Sequence, residues 1–191
     1  MRLKLLLFGL TLPTVLALDF ATKSWALRTL SSGPRELFGG LVPLTLAFNK
    51  GAAFGISVGD DSRWLFVPIT FVALGLLAVL FKQAGNRDVL RIAAISMVVS
   101  GALGNLYDRL RWSRGVVDFI GPIDLVFWHF PIFNVADIAI TCGAILLAIS
   151  FWIEERRLES EDAAAAADEG RAGGLEPQSF GGAETGGSIG D

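Results

Sequence analysis

The chain has 191 residues, 52% of them hydrophobic, with a mean hydropathy of +0.55 and a net charge of −3. The length allows one domain, and the hydropathy is high for a soluble one, so membrane-spanning runs have to be sought. One cysteine and one histidine exclude an internal disulfide and a His/Cys metal cluster.

The acidic balance comes from the C-terminal end. Residues 154–191 hold ten acidic and three basic side chains, whereas residues 1–153 hold nine and thirteen, so the body carries +4 and the end −7.

The first apolar run, "LKLLLFGLTLPTVLAL" at 3–18, has basic residues near its start, as a signal peptide does. No small-x-small site with a polar mature start follows, and a retained first span is expected. Residues 41–56, "LVPLTLAFNKGAAFGI", alternate in character and predict a short strand pair turning at Asn49-Lys50-Gly51. Residues 64–81, "WLFVPITFVALGLLAVLF", carry no charge and form the clearest spanning helix. A third run, "IAAISMVVSGALGNLY" at 92–107, is rich in small residues that let helices approach. The fourth is "IAITCGAILLAISFWI" at 138–153. Both are short for a span and are expected to borrow Val89–Arg91 and Phe133–Asp137. Cys142, inside the fourth run, reads as a small core residue.

The expected fold is therefore a membrane α-helical one. It has four transmembrane helices and a small extracytoplasmic β-rich segment. Residues 1–157 form the membrane body. Residues 158–191, rich in Ala, Gly and Glu, read as a disordered tail. An even number of spans puts both termini on one side, which Arg2, Lys4, Lys82, Arg87, Arg91, Arg156 and Arg157 mark as cytoplasmic.

Polar residues inside or beside the apolar runs carry the functional signal, because a central aspartate costs about 2.5–3.5 kcal/mol to insert. Asp19 and Lys23 close the first run at i and i+4 and can pair. Asn105 shares a helix face with both Asp108 and Arg109 in "GALGNLYDRLRW". Asp137 opens the fourth run, where a helix N-terminus favours a carboxylate and Asn134 fits as N-cap. Asp118, in "GVVDFI", has no such explanation. Asp124 reads as a turn residue and His129 as an interfacial side chain. Two carboxyl groups in one weakly hydrated site have pKa values pushed apart, as general acid and base require. From the residues alone, a proton or cation path remains equally open.

Four segments, in order, resemble the lipoprotein signal peptidases. "DFATK" is similar to the family's D-x-x-x-K segment and "NKGAAFGI" to its N-x-G-A-A-F segment. "SGALGNLYDRLRWSRGVVDFI" is similar to its G-N-x-x-D-R…G-x-V-x-D-F segment, and "FNVADIAI" to F-N-x-A-D. Ser100 stands where the family often has glycine. The resemblance implies an aspartic endopeptidase of the bacterial inner membrane, with its active site at the outer face. Its implied substrates are prolipoproteins already carrying diacylglyceryl on a cysteine, which are cut just before that cysteine. Membrane lipid and globomycin-type inhibitors are further implied partners. No cofactor, metal or nucleic acid is implied. The implied catalytic pair is Asp118 and Asp137. The implied supporting residues are Asp19, Lys23, Asn49, Gly51, Gly104, Asn105, Arg109 and Asn134.

Overall fold

In lipid no water is present to satisfy exposed backbone groups, so long apolar runs close their own hydrogen bonds as helices. The computed structural model describes residues 2–51, 63–124 and 129–173, with side chains as far as 167. Its helices are α1 (Arg2–Thr29), α2 (Arg63–Gln83), α3 (Val89–Arg111) and α4 (Val135–Gly173). Among the described residues, these four are long and apolar enough to cross a membrane.

Helix α3 is the central one. Half of its apolar window is buried inside the protein, against 6% in α1 and in α2. Asp88 starts it by accepting the Arg91 amide at 3.0 Å, an N-cap. Small residues set the packing distance. A Cβ on Gly101 would strike the Ala136 carbonyl of α4, and one on Gly104 would lie 2.5 Å from Asp19 Oδ2 of α1. At the opposite end of the bundle, Lys4 Nζ donates to the Ala84 carbonyl at 2.9 Å and lies over the Phe81 ring. That contact satisfies carbonyls at the end of α2 and ties it to the start of α1.

Three strands form an antiparallel sheet in the order β1 (Arg35–Leu37), β2 (Val42–Asn49) and β3 (Val116–Ile120). Leu44 and Phe119 from the sheet pack with Ala26 and Leu30 at the end of α1, which seats the sheet on the bundle. A second pair, β4 (Ile123–Asp124) with β5 (His129–Phe130), is also antiparallel. Backbone bonds between Ile120 and Phe133 at 2.9 and 3.0 Å then bind β3 to the residue just before Asn134.

Two expectations are corrected, and one falls partly outside the described residues. The alternation at 42–49 does make a strand, paired among the described residues with β1 and β3. Alternation identifies a strand without identifying its neighbour. The expected return strand at 52–56 lies outside the described residues. Cys142 is exposed on α4, because a helix face turned to lipid is as apolar as one turned inward. Residues 158–173, expected to be disordered, are helical. The run Ala163–Ala167 has the highest helix propensity available, and Arg157 pairs with Glu161 one turn on at 2.8 Å. From Phe151 to Ala167 every described side chain is exposed, and the remainder of the expected tail, 174–191, lies outside the described residues.

Candidate active site

Asp118 sits in the middle of β3, and Asp137 in the first turn of α4. Nineteen residues separate them in sequence, yet two asparagines join them. Asn134 Nδ2 donates to Asp118 Oδ1 at 2.7 Å and to Asn105 Oδ1 at 3.1 Å. Asn105 Nδ2 donates to Asp137 Oδ1 at 2.8 Å. The result is a continuous chain, Asp118–Asn134–Asn105–Asp137.

Local rules fix the α4 end of this chain. Asn134 is the N-cap: its Oδ1 accepts the Asp137 amide at 2.9 Å. Asp137 answers by accepting the Asn134 amide on Oδ2 at 3.1 Å. This reciprocal pair is a capping box, and it leaves Asp137 Oδ1 for Asn105. Asn134 is fully buried, so its side chain has little choice of rotamer.

Beneath lies a buried ionic cluster. Lys23 Nζ contacts Asp19 Oδ2 at 2.7 Å, Asp108 Oδ2 at 3.0 Å and Asn105 Oδ1 at 3.0 Å. By holding Asn105 Oδ1, Lys23 turns the amide nitrogen of Asn105 toward Asp137. The two aspartates reach the backbone on either side of the site. Asp19 Oδ1 accepts the Ala136 amide at 3.0 Å, and Asp108 Oδ2 accepts the Val117 amide at 3.3 Å. The cluster thus holds the residue before each of Asp118 and Asp137.

Asn49 approaches from β2 and hydrogen-bonds Asp118. The Gly51 amide donates to Asn49 Oδ1 at 2.8 Å and so directs the Asn49 NH₂ group at the carboxyl. That bend needs φ of +111° at Gly51, which favours glycine. Arg109 lies over the Phe66 ring, and its positive charge faces Asp137, Asp118 and Asp108. All eight supporting residues expected from sequence therefore lie on or against this network. Asp108 was missed as a member; its place one turn after Asn105 on the same helix face was the available signal.

Two other candidates stand apart. Asp124 and His129 face each other at 3.6 Å on the β4–β5 pair, and both are largely exposed. Among the described residues, no group of three His, Cys, Asp or Glu side chains is placed to hold a metal ion.

The site separates its two carboxyls electrostatically. Asp118 is 2% exposed, and burial, followed by the negative charge of Asp137, pushes its pKa up to about 7. Hydrogen bonds from Asn134 and Asn49, with the charge of Lys23, pull the other way without cancelling the rise. Near neutrality Asp118 thus exchanges a proton beside a second carboxyl group, an arrangement able to give and take protons at one reacting centre.

Residues 11–153 match the model of the family described as Signal peptidase (SPase) II. A lipoprotein signal peptidase of Hydrogenovibrio crunogenus is 39% identical over 145 residues, covering 74% of this chain and 83% of that protein. One from Streptococcus pyogenes serotype M2 is 39% identical over 150 residues, covering 78% and 95%. A bacterial membrane enzyme solved by the in meso method at 1.9 Å superposes with a TM-score of 0.66 at 35% identity, over 75% of this chain and 91% of that one. A second, solved at 2.3 Å, gives 0.67 at 33%, over 78% and 88%. With four spanning-length helices and a family match over most of its length, this chain is a multi-pass membrane peptidase and belongs to the signal peptidase II family.

Proposed function

We propose that Asp118 and Asp137 are the catalytic pair of an aspartic endopeptidase that removes signal peptides from diacylglyceryl-modified prolipoproteins, cutting before the lipidated cysteine. The observation that carries this reading is the Asn134–Asn105 bridge between two carboxyls, one of them with its pKa raised to about 7.

In the reaction, the Asp137 carboxylate takes a proton from water as the water oxygen bonds to the scissile carbonyl carbon. The Asp118 carboxyl gives its proton to the carbonyl oxygen, forming a tetrahedral diol. Asp137 then passes its proton to the leaving nitrogen as the C–N bond breaks, and Asp118 recovers a proton from the diol. The peptide leaves as acid and amine, and the pair again holds one proton. Asn134 and Asn105 orient the two carboxyls, Asn49 also bonds the substrate backbone, and Arg109 limits the repulsion between the charges. Globomycin-type inhibitors act by occupying this site.

Incubating the full-length protein with a diacylglyceryl-modified prolipoprotein should give a product whose N-terminal residue is the lipidated cysteine, read by mass spectrometry. Unlipidated precursor should stay intact. Cleavage of both alike, or at another bond, contradicts the reading. Residues 158–191 have no part in the reaction, so a chain ending at Leu158 should cleave at the parental rate.

The pH dependence follows from Asp118. Below about pH 7 it keeps its proton and the pair is active; above that it ionises, and cleavage should fall about tenfold per pH unit. The Asn49 hydrogen bond favours the charged carboxylate and so holds this pKa down. In Asn49→Ala the pKa rises, so the alkaline limb of the rate profile should move to higher pH while the rate falls. A limb that stays put or moves down separates Asn49 from Asp118.

The membrane is the bacterial inner membrane, with both termini cytoplasmic and the catalytic pair at the outer face. Support comes from the basic residues Lys4, Lys82, Arg87 and Arg91, which gather at the end of the bundle opposite the pair. In a Cys142→Ser background, Ser32→Cys should react with an impermeant thiol reagent in whole cells. Labelling only after rupture reverses the orientation.

A further inference from the structure

Helix α3 runs out into three residues with unspent donors. Trp112 closes the helix, its amide donating to the Asp108 carbonyl at 2.9 Å, and the chain then turns back through Gly115 into β3. Within that turn the Arg114 guanidinium lies over two rings, 3.8 Å from the centroid of Trp112 and 4.2 Å from that of Phe48. Stacking on a ring leaves the N–H groups of a planar guanidinium available as donors. Arg111 lies 5.2 Å from the Trp112 ring and is braced by a hydrogen bond to the Tyr107 hydroxyl. Among the described residues, neither arginine has a carboxylate partner. The Trp112 Nε1 is buried and, among the described residues, has no acceptor.

These donors line a cavity of about 360 Å³ formed by Arg111, Trp112, Ser113 and Arg114. A second cavity of about 310 Å³ shares Arg111 and Trp112 and continues along an apolar wall of Phe20, Leu27 and Tyr107, with Lys23 and Asp108 of the ionic cluster at its inner side. One end is therefore doubly positive and rich in N–H donors, and the other has an apolar wall beside the ionic cluster. The arginine end is not the catalytic site. Phe48 pairs with Val117, and Ala47 with Asp118; successive residues of a strand point to opposite faces, so Phe48 and Asp118 lie on opposite sides of the sheet.

We propose that Arg111, Trp112 and Arg114 bind the phosphate headgroup of an anionic phospholipid, whose glycerol and upper acyl chains lie against Phe20, Leu27 and Tyr107. Planar arginine donors suit two phosphate oxygens at once, and the free indole N–H supplies a further bond. The end of a spanning helix, ringed with aromatic side chains, is where headgroups are found. A bare anion would leave the Phe20, Leu27 and Tyr107 wall uncovered, and a phospholipid occupies both parts.

The test is native mass spectrometry of the full-length protein in neutral detergent, titrated with phosphatidylglycerol or phosphatidylcholine. Phosphatidylglycerol should be retained in preference. Arg111→Ala with Arg114→Ala should lower its occupancy about tenfold, and Trp112→Phe, which keeps a ring but loses the N–H, by severalfold. Arg157→Ala should change nothing. Lysine at both arginine positions should bind weakly, since lysine neither stacks nor forks. Binding by the lysine variant equal to the parent means simple charge attraction and overturns the site. Displacement of the lipid by millimolar inorganic phosphate reduces it to an oxyanion site and overturns the lipid assignment. Cleavage by the double alanine variant, without added lipid, should stay within about twofold of the parent. Its loss in a folded protein puts the arginines in the reaction itself and also overturns the proposal. If the alanine variant does not fold, Trp112→Phe and the lysine pair decide.

Discussion

Asp118→Asn and Asp137→Asn should each reduce cleavage by about 10²–10⁴-fold, the range for loss of a positioned proton-transfer group. Asparagine keeps the shape of aspartate but cannot exchange the proton, so the protein should still insert and fold. The network gives a reason to expect similar folding. Asn134 can still find an oxygen at position 118, and asparagine at position 137 keeps one acceptor oxygen for either Asn105 or the Asn134 amide. Removing a buried carboxyl with a raised pKa also relieves its desolvation. The double variant should be no slower than either single one, because groups acting as a unit are not additive. The measurement is single-turnover cleavage of lipidated prolipoprotein by purified full-length protein. If Asp137 were only a helix-capping charge and Asp118 only a strand residue, losses would be partial and independent. Substantial cleavage by either asparagine variant excludes the catalytic assignment.

Lys23→Met should be the most damaging change away from the two catalytic candidates. The substitution keeps the length of the side chain and removes its charge. Asp19 and Asp108 are then left buried beside each other with their shared cation gone. Breaking a buried ionic group in this way costs about 3–5 kcal/mol. The damage should also reach the site, since Asp19 holds the Ala136 amide and Asp108 the Val117 amide. Thermal unfolding in detergent should show a clear fall in Tm together with slower cleavage. Adding Asp19→Asn and Asp108→Asn to Lys23→Met should restore part of the Tm, because neutral amides need no counter-ion and still accept those backbone bonds. A Lys23→Met protein as stable as its parent means the cluster does not hold the helices. Failure of the neutral triple variant to recover means that packing, not charge, was lost.

Much of the architecture was legible because lipid is a simple solvent. A run of about twenty apolar residues in lipid has one way to satisfy its backbone, so spans could be read as helices from composition alone. The N-cap at Asn134 was legible for a similar reason, since capping depends on residues three apart and needs no distant partner. The strand at 42–49 was legible from its alternation, but its partners were not. Those are Leu44 with Arg35 and Ala47 with Asp118, contacts between segments far apart in the chain. Cys142 was misread because apolar residues on a spanning helix face lipid and protein alike. Residues 158–173 were misread because a polar composition rules out packing, while an alanine run can still be helical without it.

By itself the sequence determined four spans, the residues placed to cap and charge their ends, and the presence of carboxyl groups too costly to keep in lipid without a use. Which of those carboxyls meet was decided only by tertiary structure. Asp118 and Asp137 come onto one hydrogen-bonded chain because Phe133 pairs with Ile120, Asn105 projects from α3 between them, and Gly104 lets α1 bring Asp19 and Lys23 close beneath. Local propensity and solvent act on residues within a turn or two of one another. The pKa of Asp118 depends on burial and on charges brought in from other segments, and no spacing along the chain records that.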